Sequence, residues 1–515
     1  MQQPADYRDS TISWRVPYRT PELTLGIRKL TQVEYWVGIM ITLVLSAIPR
    51  VWRLGGTDMW SDEVLTLLRV RTPLSGSVDS VLTVGNQMPF YYLALRLMPN
   101  ADPFWLRLPS LVLGLLGIVL ISQLFSRLYD NRSLGLLMGV MLAVSPMHII
   151  LSRTARYYTL LLVLALVASW CFVALIRGRG SRWTWVLLWA TCFAAYMTHY
   201  TSLVLPAAQF GVLLVTWPNL KRLAWRWAVV QAAAVVPMVL WMMMAVGTYE
   251  ADSYPYFIQM PSLIDLPISY LNLLTGFEGV GGWYLVPGLA AGAIGLLAGI
   301  RVVMRRWKVE PEVVYWGALA ISPLVLFLLT HLAGVQYRDR YFLAGMPTVF
   351  FFFLRGLDHY SLRVRQLMIG LVLLTSGYLA GHLFWSGEYQ RTDWTNVTRF
   401  MSEHYQPGDK VLFERQIIRD AFTYYYEGDP TLLEGSELLL HHPAPAAIQQ
   451  SADRIWVVYR IRHEDLHRQG WERGRSPFQR GLAPISDWLA DRRDQILWTV
   501  YFDGVYIFLL PGQAG

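Results

Sequence analysis

The sequence predicts a polytopic α-helical membrane protein followed by a small C-terminal α/β domain. Of its 515 residues, 54% are hydrophobic and only 16% are charged, whereas soluble domains carry roughly 25% charged residues. Mean hydropathy is +0.34. Apolar runs close to the ~20 residues needed to cross a bilayer recur up to residue 386, and beyond that point Glu, Asp, Gln and His appear throughout.

Taken in order, residues 1–32 form a polar tail without the layout of a cleavable signal peptide, so the first span is expected to stay and serve as its own insertion signal. Eleven spans follow, at about 33–52, 104–126, 133–151, 157–176, 183–198, 200–217, 227–247, 283–304, 312–332, 341–357 and 366–386. The fifth and sixth meet at Thr198-His199-Tyr200. Together they are too long for one crossing at ~1.5 Å per residue, so they read as a tight helical hairpin. Residues 263–280 contain Asp265, Pro267 and Glu278 and read as an interfacial helix.

Lysine and arginine bias orients the spans. The N-terminal tail is basic, and so is every second loop after it: Arg127 and Arg132; Arg177, Arg179 and Arg182; Lys221, Arg222 and Arg226; Arg301, Arg305, Arg306 and Lys308; Arg355, Arg363 and Arg365. This places the N-terminus in the cytoplasm. An odd number of spans then puts 387–515 outside the membrane, which suits a multi-pass protein of a plasma (inner) membrane. The net charge of +8 is accounted for by these loops, and no polybasic run suggests a nucleic-acid site. Cys171 and Cys192 lie inside apolar runs, which argues against a disulfide framework or a cysteine metal site.

In the C-terminal domain, Asp393-Trp394 through His404 reads as a helix and Gln406-Pro407-Gly408-Asp409 as a turn. Lys410–Phe413, Arg454–Tyr459 and Leu497–Leu510 read as strands, the last broken by a hairpin turn at Asp503-Gly504. The domain holds no nucleophile elbow, phosphate-binding glycine loop or metal-ligand spacing.

The candidate chemistry lies on the outer side. The loop 53–103 carries Trp60-Ser61-Asp62-Glu63, and carboxylates at a membrane edge are costly enough to suggest a function. The same side holds Arg153 and Arg156, His199, and Arg338-Asp339-Arg340, although the charge bias disfavours cations there. Each arginine alone is equally well read as snorkelling to headgroups. Asp62 and Glu63 also suit the N-terminus of a short helix over about 62–71, His199 would fit a bond across the hairpin, and the tyrosines fit an interfacial belt. As a set, these residues suit a lipid-linked phosphate: arginine grips phosphate with fixed geometry, and a carboxylate can deprotonate an incoming hydroxyl.

Several motifs in order carry a family resemblance. Trp60-Ser61-Asp62-Glu63 resembles the Asp-Glu motif in the first outer loop of GT-C glycosyltransferases, the group related to protein O-mannosyltransferases and glycosyltransferase family 39. Asn86 through Leu93 is similar to the family's His-Pro-Pro-Leu-Tyr-Tyr stretch, and Leu106-Arg107-Leu108-Pro109-Ser110 follows at the start of the second span. Ser145-Pro146 with Ser152-Arg153-Thr154-Ala155-Arg156-Tyr157-Tyr158 resembles the Ser-Gln-Glu-Ala-Arg-x-Tyr element. Thr198-His199-Tyr200 and Arg340-Tyr341-Phe342-Leu343 complete a series covering about 33–360.

The resemblance implies a GT-C fold and transfer of a hexosyl or pentosyl group from a polyprenyl-phosphate sugar to a hydroxyl on a glycan, lipid or protein, at the outer face and with inversion. It implies Asp62 as general base and Glu63 as its support or an acceptor-positioning residue. Arg156 becomes the donor-phosphate ligand, with Arg153, His199, Arg338, Arg340 and Tyr341 as further phosphate-side candidates. Gln87, Tyr91 and Tyr157 become acceptor or sugar contacts. Two departures remove possible metal ligands: Gln87-Met88-Pro89 stands where His-Pro-Pro is common, and Thr154 stands where the family has Glu. Transfer without a cofactor is therefore expected, with Mg²⁺ at Asp62 and Glu63 as the alternative. A lipid-linked glycan flippase, and a polymerase or ligase using a lipid-diphosphate glycan, are the competing readings.

Overall fold

A computed structural model describes residues 28–83, 88–215, 217–248, 260–276, 282–306, 311–333, 337–386, 392–438, 452–460 and 484–512. Gln87 lies outside them, as do most of the N-terminal tail and parts of residues 248–282.

Helices occupy all eleven expected span positions. Seven are long and apolar enough to cross a membrane by length and composition, or eight if one bent pair counts as a single span. The others are shorter. Arg182–Tyr196 has 15 residues, about 22 Å of helix against a hydrocarbon core of about 30 Å. Tyr200–Val215 begins as a 3₁₀ turn, and Met346–Leu357 follows the 3₁₀ turn Asp339–Gly345. The fifth and sixth helices do not form the expected tight hairpin. Arg182–Tyr196 packs on Tyr158–Ile176 and Trp217–Thr248, whereas Val204–Val215 packs on Pro311–Ala320. The break at Thr198-His199 turns the chain toward different neighbours.

The bent pair is Arg132–Val144 with Pro146–Ser152, at 67°. Pro146 has no N–H to continue the ladder, and Ser145 caps the new helix by accepting from His148 N at 3.4 Å. The bend packs Pro146–Ser152 against Pro103–Leu128. That approach needs Gly114, since a Cβ there would lie 2.3 Å from Ser152 Oγ. The chain leaves the bend through Arg153–Tyr157 and so delivers Arg156 to the loop side of the bundle.

Asp265–Thr275 is a helix, as expected, and it is not a loose surface element. Ser269 and Asn272 are fully buried. They donate to Asp339, Ser269 Oγ to Oδ1 at 2.6 Å and Asn272 Nδ2 to Oδ2 at 2.8 Å.

The C-terminal domain holds a mixed five-stranded sheet, β1 (Lys410–Phe413), β2 (Glu437–Leu438), β3 (Arg454–Arg460), β4 (Trp498–Phe502) and β5 (Val505–Pro511), in the order β2-β1-β3-β5-β4. Gly504, with φ +78°, makes the β4–β5 hairpin turn. Side chains alternate along β3. Trp456 and Val458 join a core shared with helices Trp394–His404 and Gln416–Tyr425, while Ile455, Val457 and Tyr459 join Trp488 and Leu489 on the other face. The first core is continuous with that of the bundle because Gln416–Tyr425 packs on Ser61–Arg71, the helix carrying Asp62.

Candidate active site

The loop after the first span and the helix Ser61–Arg71 place Asp62 and Glu63 in one helical first turn, where consecutive residues point about 100° apart. Glu63 turns inward. It is 2% exposed and accepts from Arg107 Nε at 2.9 Å, Arg107 Nη2 at 2.8 Å and Ala155 N at 2.6 Å. Arg107, itself buried, also donates to the carbonyls of Leu54, Thr57 and Asp58 and to Thr57 Oγ1. Glu63 and Arg107 thus join the 54–58 loop, the second span and the Arg153–Tyr157 segment. Sequence reasoning missed Arg107 as part of the site, although it lies within a recognised motif; no local signal shows that it pairs with Glu63.

Asp62 turns outward. Its side chain is 25% exposed, and its Oδ2 lies 3.8 Å from Arg340 Nη2. Arg340 covers the Trp60 ring at 5.2 Å and the Tyr341 ring at 5.9 Å, which fixes the planar cation over aromatic faces.

Arg156 closes the other side. It is buried, and its Nη1 donates to three neutral oxygens: the Asp62 carbonyl at 3.4 Å, Thr66 Oγ1 at 3.4 Å and Tyr92 OH at 3.2 Å. Its Nε is buried with no acceptor. Tyr92 also accepts from Arg69 Nη1 at 3.0 Å, so a second guanidinium approaches the same phenol. Arg69 and Tyr92 were not singled out from sequence either.

Behind Arg156 lies an aromatic wall. Tyr157 stacks on His199 at 4.5 Å, Tyr200 stacks on His199 at 4.3 Å, and Tyr341 lies 5.4 Å from the same ring. His199 Nδ1 accepts from Thr201 N at 3.3 Å and bonds Thr201 Oγ1 at 2.8 Å, which leaves the ring proton on Nε2. Burial, together with the nearby Arg156 charge, pushes the His199 pKa down to about 3, so the ring is neutral.

The expected site residues therefore separate. Asp62, Arg156, Arg340, Tyr341, His199 and Tyr157 come together. Arg338 is buried at the start of the 3₁₀ turn beside them. Arg153 points elsewhere: it donates to the carbonyls of Pro49 and Arg50, capping the first span, and lies over the Phe384 ring at 5.5 Å. Tyr91 is buried, shares a hydrogen bond with Ser110 Oγ at 3.2 Å and packs edge-on to Tyr92 and Tyr157. Among the described residues, no three His, Cys, Asp or Glu side chains gather as a metal-ligand set.

The C-terminal domain touches the loop directly. Thr395 N and Oγ1 donate to the Asp58 carboxylate at 2.7 and 2.8 Å. Met59 N donates to Tyr425 OH at 2.6 Å, and Arg460 Nη1 donates to Ser61 Oγ at 2.8 Å.

No protein-family model matches the sequence, and no curated protein is significantly similar to it. Solved structures do match in fold. The apo crystal structure of ArnT from Cupriavidus metallidurans aligns over 94% of this chain and 100% of its own, at 12% identity and a TM-score of 0.56. The same protein bound to undecaprenyl phosphate aligns over 93% and 99%, at 12% identity and a TM-score of 0.52. The match spans the bundle and the C-terminal domain together.

Proposed function

We propose that this chain, which has the fold of the GT-C membrane glycosyltransferases, moves a sugar from a polyprenyl-phosphate donor to a hydroxyl acceptor at the membrane surface, with inversion. One observation carries the reading: Arg156, a buried cation bonded only to neutral oxygens and with an unsatisfied Nε, reaches the backbone carbonyl of Asp62, whose side chain is partly exposed. An anionic group entering there would meet a cation that has no carboxylate of its own. Undecaprenyl phosphate bound to ArnT supports a polyprenyl phosphate as that group.

In this mechanism Asp62 takes the proton of the acceptor hydroxyl. The acceptor oxygen forms a bond to the anomeric carbon as the bond from that carbon to the phosphate oxygen breaks. The electron pair leaves with the phosphate, and Arg156 meets the charge that develops on it. Arg340 places a positive charge 3.8 Å from Asp62. Glu63 is buried, and both its oxygens already accept from Arg107 or Ala155 N–H, so in this geometry it is engaged away from a two-carboxylate chelate with Asp62. This supports transfer without a divalent cation, and full activity in EDTA is the expected result. The C-terminal domain and Asp62 face outside a plasma membrane in this reading, with residues 1–32 in the cytoplasm.

The test is Asp62→Asn assayed with a polyprenyl-monophosphate sugar. The variant should keep the parent's thermal midpoint and donor affinity and lose turnover by about 10²–10⁴-fold. Normal turnover by Asp62→Asn would overturn the base assignment. Activity with lipid-diphosphate glycans alone would instead favour a polymerase or ligase.

A further inference from the structure

At the end of the first span remote from Asp62 lies a polar cavity of about 270 Å³. The start of the helix Gln32–Val51, the end of Pro103–Leu128 and the turn into Arg132–Val144 enclose it. The first of these helices has 20 residues, about 30 Å in length, so the cavity belongs to the opposite end of the bundle from the Asp62 site.

Its charge is unbalanced. Lys29, Arg127 and Arg132 line it against one acid, Asp130. Arg28 adds nothing to this balance because it pairs with Glu34. The Arg127 guanidinium lies 5.0 Å over the Trp170 ring, which holds it in place without neutralising it. Gln123 also lines the cavity, and its Nε2 is a buried donor with no acceptor. Buried donors are normally satisfied, so the combination favours an anion with several oxygens.

The outer wall shows what carries that anion. From the cavity mouth, Val33, Val37, Met40, Val44 and Ile48 run along one face of the first helix, each 52–73% exposed, at the spacing of a single helical stripe. Trp36, which lines the cavity, lies beside the start of that stripe and is itself 43% exposed. A basic pocket opening onto an uncovered apolar stripe matches an amphiphile with a phosphate head rather than a free ion.

We propose that this cavity binds the phosphate headgroup of an anionic phospholipid, with its acyl chains lying along the Val33–Ile48 stripe. The site is independent of the transferase reading, since it shares no residue with the Asp62 cluster.

The test uses the full chain, delipidated in detergent, with retained lipid measured by native mass spectrometry. Phosphatidylglycerol should bind on the order of tenfold more tightly than phosphatidylcholine with the same acyl chains. Arg127→Gln/Arg132→Gln should remove most of that difference, because each basic group near a lipid surface contributes substantially. Lys29→Gln, at an exposed residue ahead of the helix, should weaken phosphatidylglycerol severalfold and carries the test if the double variant does not purify. Equal binding of the two lipids, or unchanged phosphatidylglycerol binding by the variants, would overturn the proposal. Displacement of phosphatidylglycerol by inorganic phosphate at equal concentration would overturn its lipid part and leave a free-anion site. Asp62→Asn should bind phosphatidylglycerol like the parent, and a loss there would overturn the independence of the two sites.

Discussion

The region behind Glu63 and the region in front of Asp62 use the same residue types and differ in how their charges are met. Behind Glu63, each carboxylate oxygen has a donor, and Arg107 reaches carbonyls as well as the acid. In front of Asp62, Arg340 Nη2 stands 3.8 Å from its Oδ2, and Arg156 donates to neutral oxygens. A buried, multiply hydrogen-bonded pair holds backbone segments in place, whereas a partly exposed acid beside an incompletely satisfied cation leaves room for a charged molecule. One step in sequence, about 100° around a helix, separates the two environments.

Substitutions can break this contrast. After the loss of turnover expected for Asp62→Asn, the next largest effect is on folding. Glu63→Gln leaves Arg107 buried without its charge partner and should cost about 3–5 kcal/mol of stability, read as a lowered thermal midpoint or failure to purify. A Glu63→Gln protein as stable as the parent but inactive would move Glu63 into the chemistry and erase the distinction.

Arg156→Lys sharpens the other half. Lysine keeps the charge but loses the planar fork, so donor KM should rise about tenfold, with little change in the midpoint. An unchanged donor KM would remove Arg156 from phosphate binding.

The smallest effect concerns pH. His199 is held at about 3 in the folded protein, against about 6.5 for an unfolded histidine. As pH falls through that window, the unfolded chain takes up a proton that the folded ring refuses, so stability drops toward acid. Below pH 6.5, His199→Gln should show a shallower fall in thermal midpoint than the parent. Parallel curves would mean that His199 titrates normally in the fold.

Much of the architecture was legible in the sequence because a bilayer imposes a length and a polarity on each span. The C-terminal strands followed from alternation and from the Asp503-Gly504 turn. Helix Gln416–Tyr425 and strand β2 were missed; β2 is only two residues long, and the amphipathic pattern of Gln416–Tyr425 makes sense only once Ser61–Arg71 is seen against it. The site was half legible. Asp62 stood out as an acid at an expected membrane edge, and Arg156 and Arg340 as cations where the Lys/Arg bias disfavours them. Arg107, Arg69 and Tyr92 did not, because their roles depend on pairing across distant segments. Arg153 misled for the same reason: its sequence position beside Arg156 says nothing of the bend at Ser145-Pro146, which aims it at the carbonyls of the first span.

The three contacts between the C-terminal domain and the Asp58–Ser61 loop also have a meaning for how the protein is made. Synthesis runs from the N-terminus, so the loop is among the first segments to emerge. Its partners Thr395, Tyr425 and Arg460 follow 337, 366 and 399 residues later. The segment that presents Asp62 therefore waits through the synthesis of every later span before these hydrogen bonds can form. Until those residues have been made, the loop lacks these three hydrogen bonds.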